Sequence, residues 1–214
     1  MAIGRLKLKS DGIMFVGNNA EDVTGSMTLI KFANKQILLE AGLYQNNDYL
    51  ESYKVNTEKF KFKPEEIDYV FVGHCHIDHI GLLPRLVKEG FTGKIIMTYP
   101  TSIISKHLLL NCVFILADEA RVLSKRYGRD YSPIYSEDDV YNTFKFYTVY
   151  NQYDTLFQLD DVVSFQWLKN SHCVGAAQLQ LILNDGIKKR KLLYTSDIGA
   201  LETKNHYVEN TEVP

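Results

Sequence analysis

Residues 67–79 read Ile67-Asp68-Tyr69-Val70-Phe71-Val72-Gly73-His74-Cys75-His76-Ile77-Asp78-His79. The apolar, β-prone run is the signature of a buried strand, and Ile80-Gly81-Leu82-Leu83-Pro84 reads as the first turn of a helix. Four potential metal ligands therefore sit where a strand ends and a helix begins. Side chains alternate along the last residues of a strand, so His74 and His76 point one way and Cys75 the other. The chain then turns, and Asp78 and His79 can face back into the same hollow. Three of the chain's 6 histidines fall within this hexad, a concentration that argues against a scatter of surface histidines. Imidazole and carboxylate together suit a borderline divalent ion such as zinc.

The rest of the chain bounds the setting. Its 214 residues fit one domain, expected to run over residues 1–214, and its 45% hydrophobic content is enough for a core. A net charge of -2 advertises neither nucleic acid nor an anionic membrane, though it leaves room for a local basic groove. The three cysteines, Cys75, Cys112 and Cys173, form no C-x-x-C pair and point to a reducing, cytoplasmic setting. Met1 to Asp11 lacks the apolar stretch of a signal peptide. Leu108 to Ala117, the longest apolar run, is too short to span a bilayer and is expected to be a buried helix, so no membrane partner is expected.

Taken in order, residues 5–8 and 13–16 read as strands about Asp11-Gly12. Residues 27–32 and 37–39 follow as an antiparallel pair around Asn34-Lys35. Residues 48–60 have helix-forming composition, and Pro64-Glu65-Glu66 make a first helical turn before the histidine-rich strand. A helix over 82–89 stopped by Gly90, a strand at 94–98, and a long helix from Pro100 to Tyr127 stopped by Gly128 come next. This alternation predicts an α/β fold. Ser136 caps a helix over 137–145. Strands at 155–159, 162–168, 178–183 and 191–195 follow, the last two joined by the hairpin signal Asn184-Asp185-Gly186. Residues 200–214 are polar and carry no expected element.

Two later strand ends look like the first. Asn170-Ser171-His172-Cys173-Val174-Gly175 and Tyr194-Thr195-Ser196-Asp197-Ile198-Gly199 each end an apolar run in a potential ligand followed by glycine. A metal site needs ligands converging from separate strand ends. His74, His76 and His172 can hold one ion, Asp78 and His79 a second, and Asp197 can bridge them. Two ions about 3.5–4 Å apart can share a hydroxide and neutralise charge on a phosphoryl or carbonyl oxygen. One or two zinc ions, or manganese, are the cofactors this set suits. His107 reads as a helix-face residue and His206 as a solvent-exposed one. Alternation turns Cys75 and Cys173 away from the metal.

The hexad with His172 and Asp197 resembles the metallo-β-lactamase superfamily. Four stretches resemble, more narrowly, its β-CASP branch of nucleic-acid hydrolases, which includes RNase J-type enzymes and the pre-mRNA 3′-end endonuclease. They are Val23-Thr24-Gly25-Ser26-Met27; Ile37-Leu38-Leu39-Glu40-Ala41-Gly42-Leu43-Tyr44-Gln45; Ser132-Pro133-Ile134-Tyr135-Ser136-Glu137-Asp138-Asp139-Val140; and His172 with Gly175-Ala176-Ala177. The resemblance implies an αββα sandwich with a metal site at the strand ends, acting on RNA phosphodiesters, or on DNA. Asp78 and Asp197 would be the catalytic carboxylates. Alternatives are a small-molecule ester or thioester hydrolase of the same superfamily and a non-catalytic half-domain. Glu40 stands where the family has Asp, behind the metal ligands, and Ser196 stands where it has Gly. The family's cap domain and a later histidine ligand have no counterpart in the 214 residues. That predicts an N-terminal portion with a weaker second ion site, which self-associates or needs a partner chain.

Overall fold

A computed structural model describes residues 10–17, 23–205 and 207–213. The strand expected at 5–8 and the expectation for His206 lie outside the described residues. Strands β1 (Gly12–Phe15), β2 (Thr28–Phe32) and β3 (Lys35–Leu39) form an antiparallel meander. The chain then switches to parallel pairing with β4 (Tyr69–Phe71), β5 (Lys94–Met97) and β6 (Tyr147–Val149), giving a six-stranded sheet in the order β1 to β6. Parallel neighbours need long crossovers, and helices provide them. Helix α1 (Tyr49–Thr57) joins β3 to β4, and α2 (Ile77–Ile80) and α3 (Leu83–Lys88) join β4 to β5. Helices α4 (Tyr99–Tyr127) and α5 (Glu137–Thr143) lead on to β6. A second, antiparallel sheet holds β7 (Phe157–Gln158), β8 (Val163–Lys169), β9 (Ala177–Asn184) and β10 (Lys189–Tyr194), in the order β10-β9-β8-β7.

The alternation of side chains divides the six-stranded sheet between two cores. Leu38, Val70 and Ile95 face the helices and pack with Leu83, Leu86, Leu109 and Leu116. Ile37, Leu39, Phe71 and Ile96 face the other way, onto Val163, Phe165, Trp167, Leu179 and Leu181 of the second sheet. Strand β4 is thus buried on both faces, as its unbroken apolar run requires. Helices, sheet and sheet make three of the four layers of the expected αββα sandwich. Among the described residues every helix precedes β6, and none covers the outer face of the second sheet. At the free edge of the sandwich an apolar groove of about 560 Å³ opens between β1–β2 and β9–β10, lined by Ile13, Phe32, Leu183 and Leu192.

Local signals place most boundaries. Ser136 and Asp139 form a reciprocal capping box at α5, Thr98 caps α4, and Gly128 ends it at φ 63° in the left-handed region. Four expectations need correction. The helix expected over 48–60 ends at Thr57, because Phe60 and Phe62 leave it to stack in the core. The strand expected at 155–159 shrinks to Phe157–Gln158. Strand β6 was not expected at all; it is three residues long and takes its identity from pairing with β5. The run 108–117 is buried on one face only. Leu109, Cys112 and Leu116 are buried, while Phe114 and Ile115 are exposed. By length and composition alone α4 could cross a membrane; in this fold it packs one face on the core.

Candidate metal centre

Chain direction brings the functional residues to one edge. Strands β3 and β4 are parallel, so Glu40 and the hexad leave the first sheet side by side. Strands β8 and β10 are both antiparallel to β9 and so run the same way, which places His172 and Asp197 at neighbouring ends. The two sheets meet where the Ala177 N–H donates to the Gly73 carbonyl at 2.8 Å.

The hexad is held by backbone. His76 caps α2, and its carbonyl accepts from the N–H groups of His79 (2.9 Å) and Ile80 (3.0 Å). That turn swings Asp78 and His79 back toward His74. The carbonyls of Ile77, Asp78 and His79 in turn accept from Leu43, Ser26 and Ala41 at 3.0, 2.9 and 2.8 Å. The approach is so close that a Cβ on Gly42 would stand 1.6 Å from the Asp78 carbonyl oxygen, so only glycine fits there.

The structure brings all six expected donors together. His172 Nε2 lies 3.2 Å from His76 Nδ1 and 3.7 Å from Asp197 Oδ2, and His74 Nε2 lies 3.9 Å from the same oxygen. Four ligands about 2.0–2.1 Å from a tetrahedral zinc stand roughly 3.3 Å from one another, so this spacing is near that of a ligand shell. On the other side His79 Nε2 lies 3.4 Å from Asp197 Oδ1 and 3.6 Å from Asp78 Oδ2. Asp197 therefore turns one oxygen to each group. It is 47% exposed, which leaves the centre open on one side. Beside it a hollow of about 200 Å³ is lined by His79, Tyr194, Ser196 and Asp197.

Does a cation fit? His74 Nε2 is buried with no hydrogen-bond partner, and it points at the gap between His172 and Asp197. A buried polar atom left unmatched is costly, and a divalent ion would satisfy it. His74, His76, His172 and Asp197 form one compact donor group. Glu40, His74 and His79 also come close together. Glu40 Oε1, however, is taken up by the Gly73 N–H at 3.0 Å and the Ser196 hydroxyl at 3.2 Å, which places Glu40 behind the histidine donors.

Burial, with the neighbouring histidines, pushes the His74 pKa down to about 2, so its ring is neutral and able to ligate. Burial likewise lowers that of His172, against the pull of Asp197. Burial also opposes charge on His79, but contact with Glu40 and the nearby Asp78 and Asp197 carboxylates carry its pKa up to about 8. The carboxylate-rich side of the centre thus attracts positive charge even without an ion.

Cys75 and Cys173 stand outside the donor groups, as alternation requires, and share a side-chain contact with each other. Sequence reasoning missed Asn170. Its Nδ2 donates to the Asp197 carbonyl at 2.6 Å, and its Oδ1 accepts from the backbone N–H of His172 and of Gly199 at 3.1 Å each. One buried side chain thereby ties the two ligand loops of the second sheet. The visible signal was a lone amide at the end of an apolar strand. Among its described residues the polar tail forms no regular element, yet Thr211 is buried and its hydroxyl accepts from the Ser171 N–H at 3.1 Å.

A two-sheet α/β fold with a histidine and carboxylate centre at its strand ends defines a class, and the comparisons agree on which. The chain belongs to the metallo-β-lactamase superfamily, whose family model matches residues 20–108. It is 27% identical to a ribonuclease of Thermus thermophilus, TTHA0252, over 86% of this chain and 37% of that protein. It is 31% identical to the endoribonuclease YSH1 of Yarrowia lipolytica over 96% of this chain and 23% of that one. Integrator complex subunit 11 of Danio rerio is 26% identical over 83% of this chain and 28% of its own length. The chain thus spans between about a quarter and two fifths of these relatives. Among solved structures, a metallo-beta-lactamase from Cronobacter sakazakii superposes with a TM-score of 0.50 at 20% identity, covering 86% of this chain and 60% of that one. A protein of unknown function from Enterococcus faecalis reaches 0.52 at 14% identity, covering 90% and 44%. At these identities the structural likeness bears on the fold alone.

Proposed function

We propose that this chain is the metal-binding part of a β-CASP-type ribonuclease that hydrolyses RNA phosphodiesters with zinc. The observation that carries the reading is Asp197, whose two oxygens face two separate histidine groups at the open end of the sandwich. In this reading His74, His76 and His172 hold one ion, Asp78 and His79 hold another, and Asp197 is shared. When bound, the pair would activate water and neutralise charge on the scissile phosphate. The chain's own residues do the rest. Glu40 orients from behind, α2 fixes the angle of Asp78 and His79, and Asn170 fixes the loops of His172 and Asp197. The similarity to proteins named as ribonucleases over most of this chain supports RNA as substrate.

Two measurements test the reading. Elemental analysis after dialysis should find zinc on residues 1–214, nearer one equivalent than two, because the second site has only Asp78, His79 and a shared Asp197. A labelled RNA oligomer should then be cleaved when the chain is joined to the remaining part of the Thermus relative, and poorly by the 214 residues alone. Cleavage of small esters or thioesters with no action on RNA would move the assignment to a small-molecule hydrolase.

A further inference from the structure

The two positions that depart from the family pattern in the metal loops, Glu40 and Ser196, touch each other. Ser196 Oγ donates to Glu40 Oε1 at 3.2 Å and lies 3.1 Å from His74 Nδ1. Both residues have positive φ, 59° for Glu40 and 53° for Ser196, a region that favours glycine. A side chain is therefore kept at position 196 against the preference of its backbone. Room for it comes from the opposite loop. A Cβ on Gly73 would stand 2.6 Å from Ser196 Cβ and Oγ, so the bare glycine backbone leaves the space that the Ser196 side chain fills.

Proton counting sets the direction of these bonds. An ionised carboxylate only accepts, and a serine hydroxyl has one proton to give. With that proton given to Glu40, Ser196 Oγ can only accept from His74, so His74 Nδ1 must carry the hydrogen. The lone pair is then left on Nε2, the buried atom without a partner that faces His172 and Asp197. We propose that Ser196 is a positioning residue that links the Glu40 carboxylate to His74 and holds that ring in the Nδ1–H tautomer, with Nε2 free for the ion. Partners behind a ligating histidine commonly fix its tautomer and ring angle; here a serine is interposed between carboxylate and imidazole. The ion side of this inference rests on the metal reading above; the tautomer does not.

The test uses residues 1–214 with Ser196→Ala, which keeps a side chain at the strained position, and Ser196→Gly, which relieves it. Long-range proton–nitrogen correlation on the metal-free protein reads the His74 tautomer, and chelator competition reads zinc affinity. The expected result is a pure Nδ1–H ring in the parent and mixed tautomers in both variants. Zinc affinity should fall at least tenfold in both. The metal-free unfolding midpoint should be unchanged or higher in Ser196→Gly. Wild-type-like zinc affinity or an unchanged tautomer in both variants would overturn the proposal. So would an affinity loss that simply follows a drop in the midpoint of both, which is the mark of a structural role. If the parent itself binds no zinc, the metal reading fails, and the tautomer alone decides the role of Ser196.

Discussion

The two sheets build their halves of the centre by different means. The six-stranded sheet delivers Glu40 and the hexad from adjacent parallel strands, and backbone hydrogen bonds from residues 26–43 fix the hexad's turn. The four-stranded sheet delivers one candidate ligand per strand end, and its two loops depend on a side chain, Asn170, and on the tail residue Thr211. The first half gathers its donors within one short segment that distant backbone clamps; the second gathers them from two separate loops that a side chain ties together. At the opposite end of the sandwich the sheets are joined by protein alone. Asp160 bonds Lys35 at 2.7 Å and the Tyr69 hydroxyl at 2.8 Å. An ion at the strand ends would be a second clasp between the sheets, and its binding would add stability to the folded state.

The sharpest test of that contrast is Asp197→Ala. It removes the carboxylate whose two oxygens face the two histidine groups, and RNA cleavage by the completed protein should fall by roughly 10³-fold or more. Asp78→Ala should keep the first ion and lose the second, read as metal content. Equal metal loss in both variants would show that the halves do not act separately. Next in size is Trp167→Ala at the centre of the inter-sheet core, which should cost about 3–5 kcal/mol in urea unfolding. If zinc affinity survived it unchanged, the sheets would be shown to hold the ligands independently of their packing.

Asn170→Ala should cost about 1–3 kcal/mol, because it leaves buried backbone groups of both ligand loops unpaired. Nuclear magnetic resonance should show shifts at His172 and little change at His79; the reverse pattern would contradict the division drawn here. The smallest effect belongs to Asp160→Asn, about 1 kcal/mol at neutral pH. Burial raises the pKa of Asp160, but Lys35, Tyr69 and the N–H groups of Val162 and Val163 together hold it down to about 2. A depressed carboxyl pKa stabilises the fold above the unfolded value near 3.8, and the benefit is lost as pH falls through about 2. The gap between variant and parent should therefore close between about pH 4 and 2. A gap that persists at pH 2 would show that the clasp is not ionic.

Much of this molecule could be read from single segments. The apolar run 69–72 marked a buried strand, and the hexad after it marked candidate ligands, because a strand end and one helical turn fix side-chain directions within a few residues. Ser136, Gly128 and Asn184-Asp185-Gly186 marked boundaries for equally local reasons. Strand β6 was missed although Tyr147, Thr148 and Val149 are all β-prone; only three residues long and next to a short helix, it is fixed as a strand by pairing with β5. Periodicity says which face a side chain takes; it does not say which strand ends will meet. Sheet order and packing settled that. They placed His172 against His76 across 96 residues, Ser196 against His74 across 122, and Ser196 against Glu40 across 156. Read along the chain, Glu40 and Ser196 are two unrelated departures from a pattern. Only the packing of one sheet on the other makes them partners, because a hydrogen bond between them needs both strand ends within about 3 Å of one another.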